Sequence, residues 1–148
     1  MTLFIRIRER FPSRAPEWFC SGLIFALGIA MVIFPASFER PGLETFVQLM
    51  PQATWALVGV LLGGWRLSFL FINGHSPRLS VPARLVGAVL GVGFFGLFVG
   101  RFVESSTSNA IALGVITYSG LALADLYNTM RVTADAKAEW GKNAGMVR

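Results

Sequence analysis

The sequence predicts an all-α integral membrane bundle of four transmembrane helices, both termini cytoplasmic, with a short amphipathic N-terminal segment and a cytoplasmic helical tail. Three observations carry that prediction. Hydrophobic residues make up 54% of the 148 residues and charged ones only 14%, against about 25% charged in ordinary soluble domains. Four stretches are long and apolar enough to cross roughly 30 Å of hydrocarbon, which takes about 20 residues of helix. The basic residues beside them concentrate on one side.

The chain reads as one membrane domain over 1–148. Residues 1–17 form an interfacial arm, the spans lie near 18–36, 53–73, 83–103 and 110–127, and 128–148 is the tail. In the arm, Leu3, Phe4, Ile7 and Phe11 share one helical side with Arg6 and Arg10 turned away, as in a helix lying in the headgroup plane. The same letters also alternate like a strand. The first span has an apolar core from Phe19 to Phe34, somewhat long for a signal-peptide h-region, and "FPASF" offers no good cleavage pair, so it reads as a retained anchor. Pro35, Pro41 and Pro51 punctuate the segment that follows. Within it, Leu43, Phe46, Val47 and Met50 follow i, i+3, i+4, i+7 spacing and predict a short amphipathic helix on the outer face. Asn73-Gly74 with Pro77 and Pro82 closes the second span, and the polar run Glu104 to Asn109 closes the third. The helix of the fourth span is expected to run on to about Trp140. Trp18 and Tyr127 suit an inner aromatic belt, and Trp55 an outer one.

Orientation follows from Lys and Arg. Arg6, Arg8, Arg10 and Arg14, then Arg78 and Arg84, then Arg131, Lys137, Lys142 and Arg148 fall on one side, against Arg40 and Arg101 on the other. The richer side should be cytoplasmic. The net charge of +5 then describes contact with anionic lipid headgroups, through Arg6, Arg8, Arg10 and Arg14 above all, and needs no nucleic acid.

Arg66 is the anomaly, a permanent charge inside the second span. Gly59, Gly63, Arg66, Leu70 and Asn73 lie within about 40° of one line on that helix, and faces carrying small residues are where membrane helices approach. Arg66 should therefore point into the bundle. Asp125 is the one acid within a span; counted from the outer boundary the two sit about 20 Å and about 22 Å deep. A contact between them is expected, extended by Asn73, Tyr118 or Thr117. Snorkelling competes with it, since an unpaired central Arg costs roughly 2.5–3.5 kcal/mol on insertion scales and less near an interface. A substrate or proton pathway is the third reading. In the third span Gly87 and Gly91 project to one side and Gly93, Gly96 and Gly100 nearly opposite; with Gly114 in the fourth, these predict helix packing on both sides, or a seam between copies.

Chemistry has little to work with. One Cys, Cys20, and one His, His75, exclude a disulfide framework and a multi-ligand metal cluster within one chain. Cys20 reads as a packing residue and His75 as a solvated turn residue. No phosphate loop, nucleophile elbow or catalytic carboxylate pair is present, so no catalytic residue, metal or cofactor is expected. The expected partners are a bilayer with anionic headgroups and, through the glycine faces, further copies of the chain. No protein partner is legible.

Small four-span multidrug exporters are similar in length but carry a membrane-embedded Glu in the first span, where this chain has an acid only at the edge, Glu17. The strings "WRLSFLFINGHSPRLSVPARLVGA" and "ADLYNTMRVTADAKA" resemble a pattern in small membrane proteins of tailed phages and prophages: an Arg before an apolar-Asn-Gly turn, an approach to the next span that carries Pro and then Arg, and Asp-Leu-Tyr before an Arg-containing tail. The resemblance covers about a third of the chain. It implies an accessory or structural component of the bacterial inner membrane, or a holin-like protein that permeabilises that membrane, and it implies no reaction.

Overall fold

The computed structural model describes residues 2–39, 43–72, 77–105 and 109–145, with side chains described for 14–39, 43–72, 80–105, 113–138 and 141. Among the described residues the chain is all helical and contains no strand. The elements are α1 (Thr2–Ile33), a 3-10 turn (Ser37–Glu39), α2 (Glu44–Leu49), α3 (Gln52–Ile72), α4 (Pro77–Glu104) and α5 (Asn109–Gly145). Three helices contain segments long and apolar enough to cross a membrane: Arg14–Ile33, Gln52–Ile72 and Ser80–Glu104.

Local chemistry accounts for the boundaries, including those that differ from expectation. The N-terminal arm is not a separate segment, because α1 runs unbroken from Thr2 into the first span. Pro16 gives up only its bond to the Pro12 carbonyl, a loss that packed membrane helices tolerate. The span stops at Ile33 rather than residue 36, since Pro35 disfavours helical backbone at the residue before it. In α4 the third span begins earlier than predicted. Pro77 occupies the first helical position, where its fixed φ suits a helix start, and Pro82 lies inside, one turn on, instead of marking a stop. The fourth predicted stretch and the tail form one 37-residue helix, about 56 Å long, which passes Trp140 and ends at Gly145.

The helices pack as two antiparallel pairs, α1 on α3 and α4 on α5, joined chiefly by α3 against α4. Close backbone approach makes the first pair. A methyl at Gly59 would stand 2.9 Å from the Gly28 Cα, and one at Gly63 would meet the Phe25 backbone. At the top of this pair Gln52 clasps the end of α1: its amide donates to the Met31 and Phe34 carbonyls at 2.9 and 2.7 Å, while its oxygen accepts from the Phe38 N–H at 3.2 Å. The Met31 carbonyl is one that a helix C-terminus leaves without an intrahelical partner.

Burial is inverted relative to a water-soluble bundle. Leu61, Leu113, Ile116 and Leu123 are 62–68% exposed, whereas Asp125 and Asn128 are 0% exposed and Glu17, Arg66 and Arg84 are 4–6% exposed. Water would drive the reverse arrangement. Apolar surface outside and paired charge inside is the arrangement of a membrane protein.

Candidate functional site

The interior divides along its length into an aromatic half and a charged half. At the Trp55 end, α2 tucks Phe46 fully under the bundle rim, where its ring meets Phe38, Trp55, Phe98 and Phe102 at centroid distances of 4.9–5.7 Å. The Trp55 indole N–H donates to the Phe46 carbonyl at 3.1 Å, and Thr45 Oγ1 donates to the Arg101 carbonyl at 3.1 Å. Trp55 is thus core, not an interfacial belt residue. Of the predicted α2 face, Phe46 inserts, Leu43 and Met50 pack against the core, and Val47 stays exposed. Tyr118 also belongs to this half: it stacks on Phe102 at 5.4 Å and tilts against Phe98 at 4.8 Å, two turns from Asp125.

In the middle of the bundle the structure brings Arg66 and Asp125 together. Nη1 and Nη2 of Arg66 donate to Oδ2 and Oδ1 of Asp125, both at 2.6 Å. Such bidentate, charge-assisted pairing is the strongest form available to these side chains. Two α4 glycines make room: a methyl at Gly87 would press the Arg66 stem at 2.9 Å, and one at Gly91 would overlap both the Asp125 carboxylate and the Arg66 guanidinium. Asn128, one turn beyond Asp125, donates its amide to Oδ1 at 3.1 Å. Cys20, fully buried, faces the same carboxylate from α1.

A second cluster lies toward the Glu17 end. Glu17 on α1 accepts from Nε and Nη2 of Arg84 at 2.8 and 2.7 Å, and from Nη2 of Arg131 at 3.0 Å. Asp135 Oδ2 stands 3.8 Å from the same Arg84 nitrogen, and the Ser21 hydroxyl donates to the Glu17 carbonyl at 2.6 Å. One carboxylate therefore ties α1, α4 and α5. Between the clusters lies a cavity of about 10 Å³, walled by Glu17, Ser21, Arg66, Leu70, Arg84 and Ala88. A larger groove, about 540 Å³, lies along the adjoining ends of α1 and α3 and has no titratable group in its wall.

Sequence reasoning missed Glu17, Arg84, Arg131, Asp135 and Asn128 as site residues. A usable signal existed: Glu17 and Arg84 each stand beside the first residue of a predicted span on the same side of the membrane, hence at one depth. The bias of basic residues gives Arg84 an orientation role that needs no partner. Asn73 and the side chains of Arg6, Arg8 and Arg10 lie outside the described residues, while Arg14 is half-buried at the start of the first span.

The predicted packing glycines divide. Gly59, Gly63, Gly87, Gly91 and Gly114 all sit where a methyl would collide, Gly114 with the Phe102 ring at 2.9 Å. Gly93, Gly96 and Gly100 do not pack in this chain; nothing described lies within 4 Å of a methyl placed there. The reason is geometric. α4 meets α3 and α5 with the side bearing Gly87, Gly91, Phe94 and Phe98, and its opposite side turns outward.

These groups can hold helices together and can exchange hydrogen bonds with water. Comparison with protein-family models, with curated proteins and with solved structures finds no match.

Proposed function

We propose that the chain is a non-enzymatic, multi-pass accessory or structural protein of the bacterial inner membrane, encoded by a phage or prophage. The observation that carries the non-enzymatic part is charge saturation: the two carboxylates buried among the described residues, Asp125 and Glu17, are held bidentately by arginine, which leaves neither free as a base or nucleophile. The phage origin rests on the two motif strings. Four spans and cytoplasmic termini are part of the proposal. Leu113, Ile116, Leu123 and Met130 give α5 an exposed apolar surface, and the bias of basic residues supports the orientation.

Timed expression in a bacterial host tests the role. Continued growth with membrane potential intact is the expected result, and abrupt collapse of the potential would replace this reading with a holin-like one. A small transporter or channel is the second reading, favoured by a buried ion pair inside a span. It requires solute flux in proteoliposomes that Asp125→Asn abolishes.

A further inference from the structure

We infer that the cavity between the two ion-pair clusters is a hydration site, through which water reaches Arg66 from the Glu17 end while the aromatic half seals the opposite approach. The polar trail is continuous. It starts at Asp135, whose side chain is 46% exposed, and at Arg131, 25% exposed, and continues through Arg84 and Glu17 by contacts of 2.7–3.8 Å. The cavity then places Glu17, Ser21 and Arg84 around the same small space as Arg66. Its volume of about 10 Å³ is close to what one water needs, about 10–15 Å³, and water requires polar partners of the kind these walls supply.

Two further features agree. Asp125 takes one N–H from each Nη of Arg66, which leaves three of the five guanidinium N–H donors, the Nε–H among them, not engaged by that carboxylate. Asn128 Oδ1, fully buried between Asp125 and Arg131 on α5, accepts no hydrogen bond among the described residues, so the charged half holds an acceptor that water would satisfy. Beyond Asp125 the path changes character. Phe94, Phe95 and Phe98 are at most 4% exposed and offer water no partner. A guanidinium hydrated from one side escapes part of the cost of burial in hydrocarbon. The inference goes beyond the role proposed above and holds for either reading of it.

Water-edited solid-state NMR of the full chain in phosphatidylethanolamine/phosphatidylglycerol bilayers tests this, with water itself as the probe. Magnetisation from water should reach the Arg66 side-chain nitrogens nearly as fast as those of Arg131, and several-fold faster than the Trp55 indole nitrogen. Ala88→Val, which adds methyls to the cavity wall, should slow transfer to Arg66 while leaving Arg131 unchanged. Arg66 behaving like Trp55 in the unaltered protein would overturn the inference, whether or not the variant folds. So would unchanged transfer to Arg66 in a folded Ala88→Val protein.

Discussion

The two halves of this bundle solve one problem by opposite means. At the Trp55 end, helix faces without buried charge among the described residues close on each other through stacked rings and glycine seams, so stability there comes from shape. At the Glu17 end, helices carry charges that are intolerable in lipid singly and acceptable in pairs, so stability there comes from matching. Shape errors scale with the overlap: a methyl at Gly63 would meet Phe25 backbone atoms closer than 3 Å, and the two helices must move apart to admit it. Matching errors are abrupt, because a stranded ion in low dielectric has no small remedy. The halves should therefore fail differently.

The largest effect is expected from Asp125→Ala, which strands Arg66. Loss of one partner of a buried pair costs about 3–5 kcal/mol, and SDS-driven unfolding in mixed micelles would read it. Arg66→Met combined with Asp125→Leu should recover most of that loss; if the single losses simply add in the double mutant, the pair is not energetically coupled. Glu17→Gln should cost less, about 2–3 kcal/mol, because it weakens hydrogen bonds to charged groups and because Arg131 keeps access to water. The same unfolding assay would read it.

Shape is tested by Gly63→Ala, which forces α1 off α3. Overpacking of this kind costs about 1–3 kcal/mol, with apparent melting in detergent as the measurement. Trp55→Phe keeps most of the aromatic contact and removes the bond to the Phe46 carbonyl, so about 1 kcal/mol should be lost. Arg101→Ala breaks only the 2.6 Å pair with Glu104 on an exposed surface and should cost under about 0.5 kcal/mol. If Gly63→Ala proved costlier than Asp125→Ala, the contrast between the two halves would be reversed.

Much of the charged half was legible because depth in a helix is a matter of arithmetic. Counting residues from a boundary placed Arg66 and Asp125 at one level, and facial projection pointed Arg66 inward. The same arithmetic applies to Glu17 and Arg84, yet each sits at a span edge, where a charge has an ordinary explanation and prompts no search for a partner. The aromatic half was less legible. Nothing in the spacing of Phe46 or Trp55 says which ring will be fully buried and which will stay at the surface, since both outcomes keep the same periodicity.

By itself the sequence determined the solvent and the secondary structure, because length and apolarity set what a segment can do in hydrocarbon regardless of its neighbours. It also determined that Arg66 needed company. Only the tertiary structure decided which helix face meets which. It set Gly59 and Gly63 against α1 while Gly93, Gly96 and Gly100 turned outward, it made one carboxylate serve two arginines from two helices, and it took Trp55 into the core. The physical reason is that burial and pairing are properties of distances between segments, and periodicity along one segment fixes only directions.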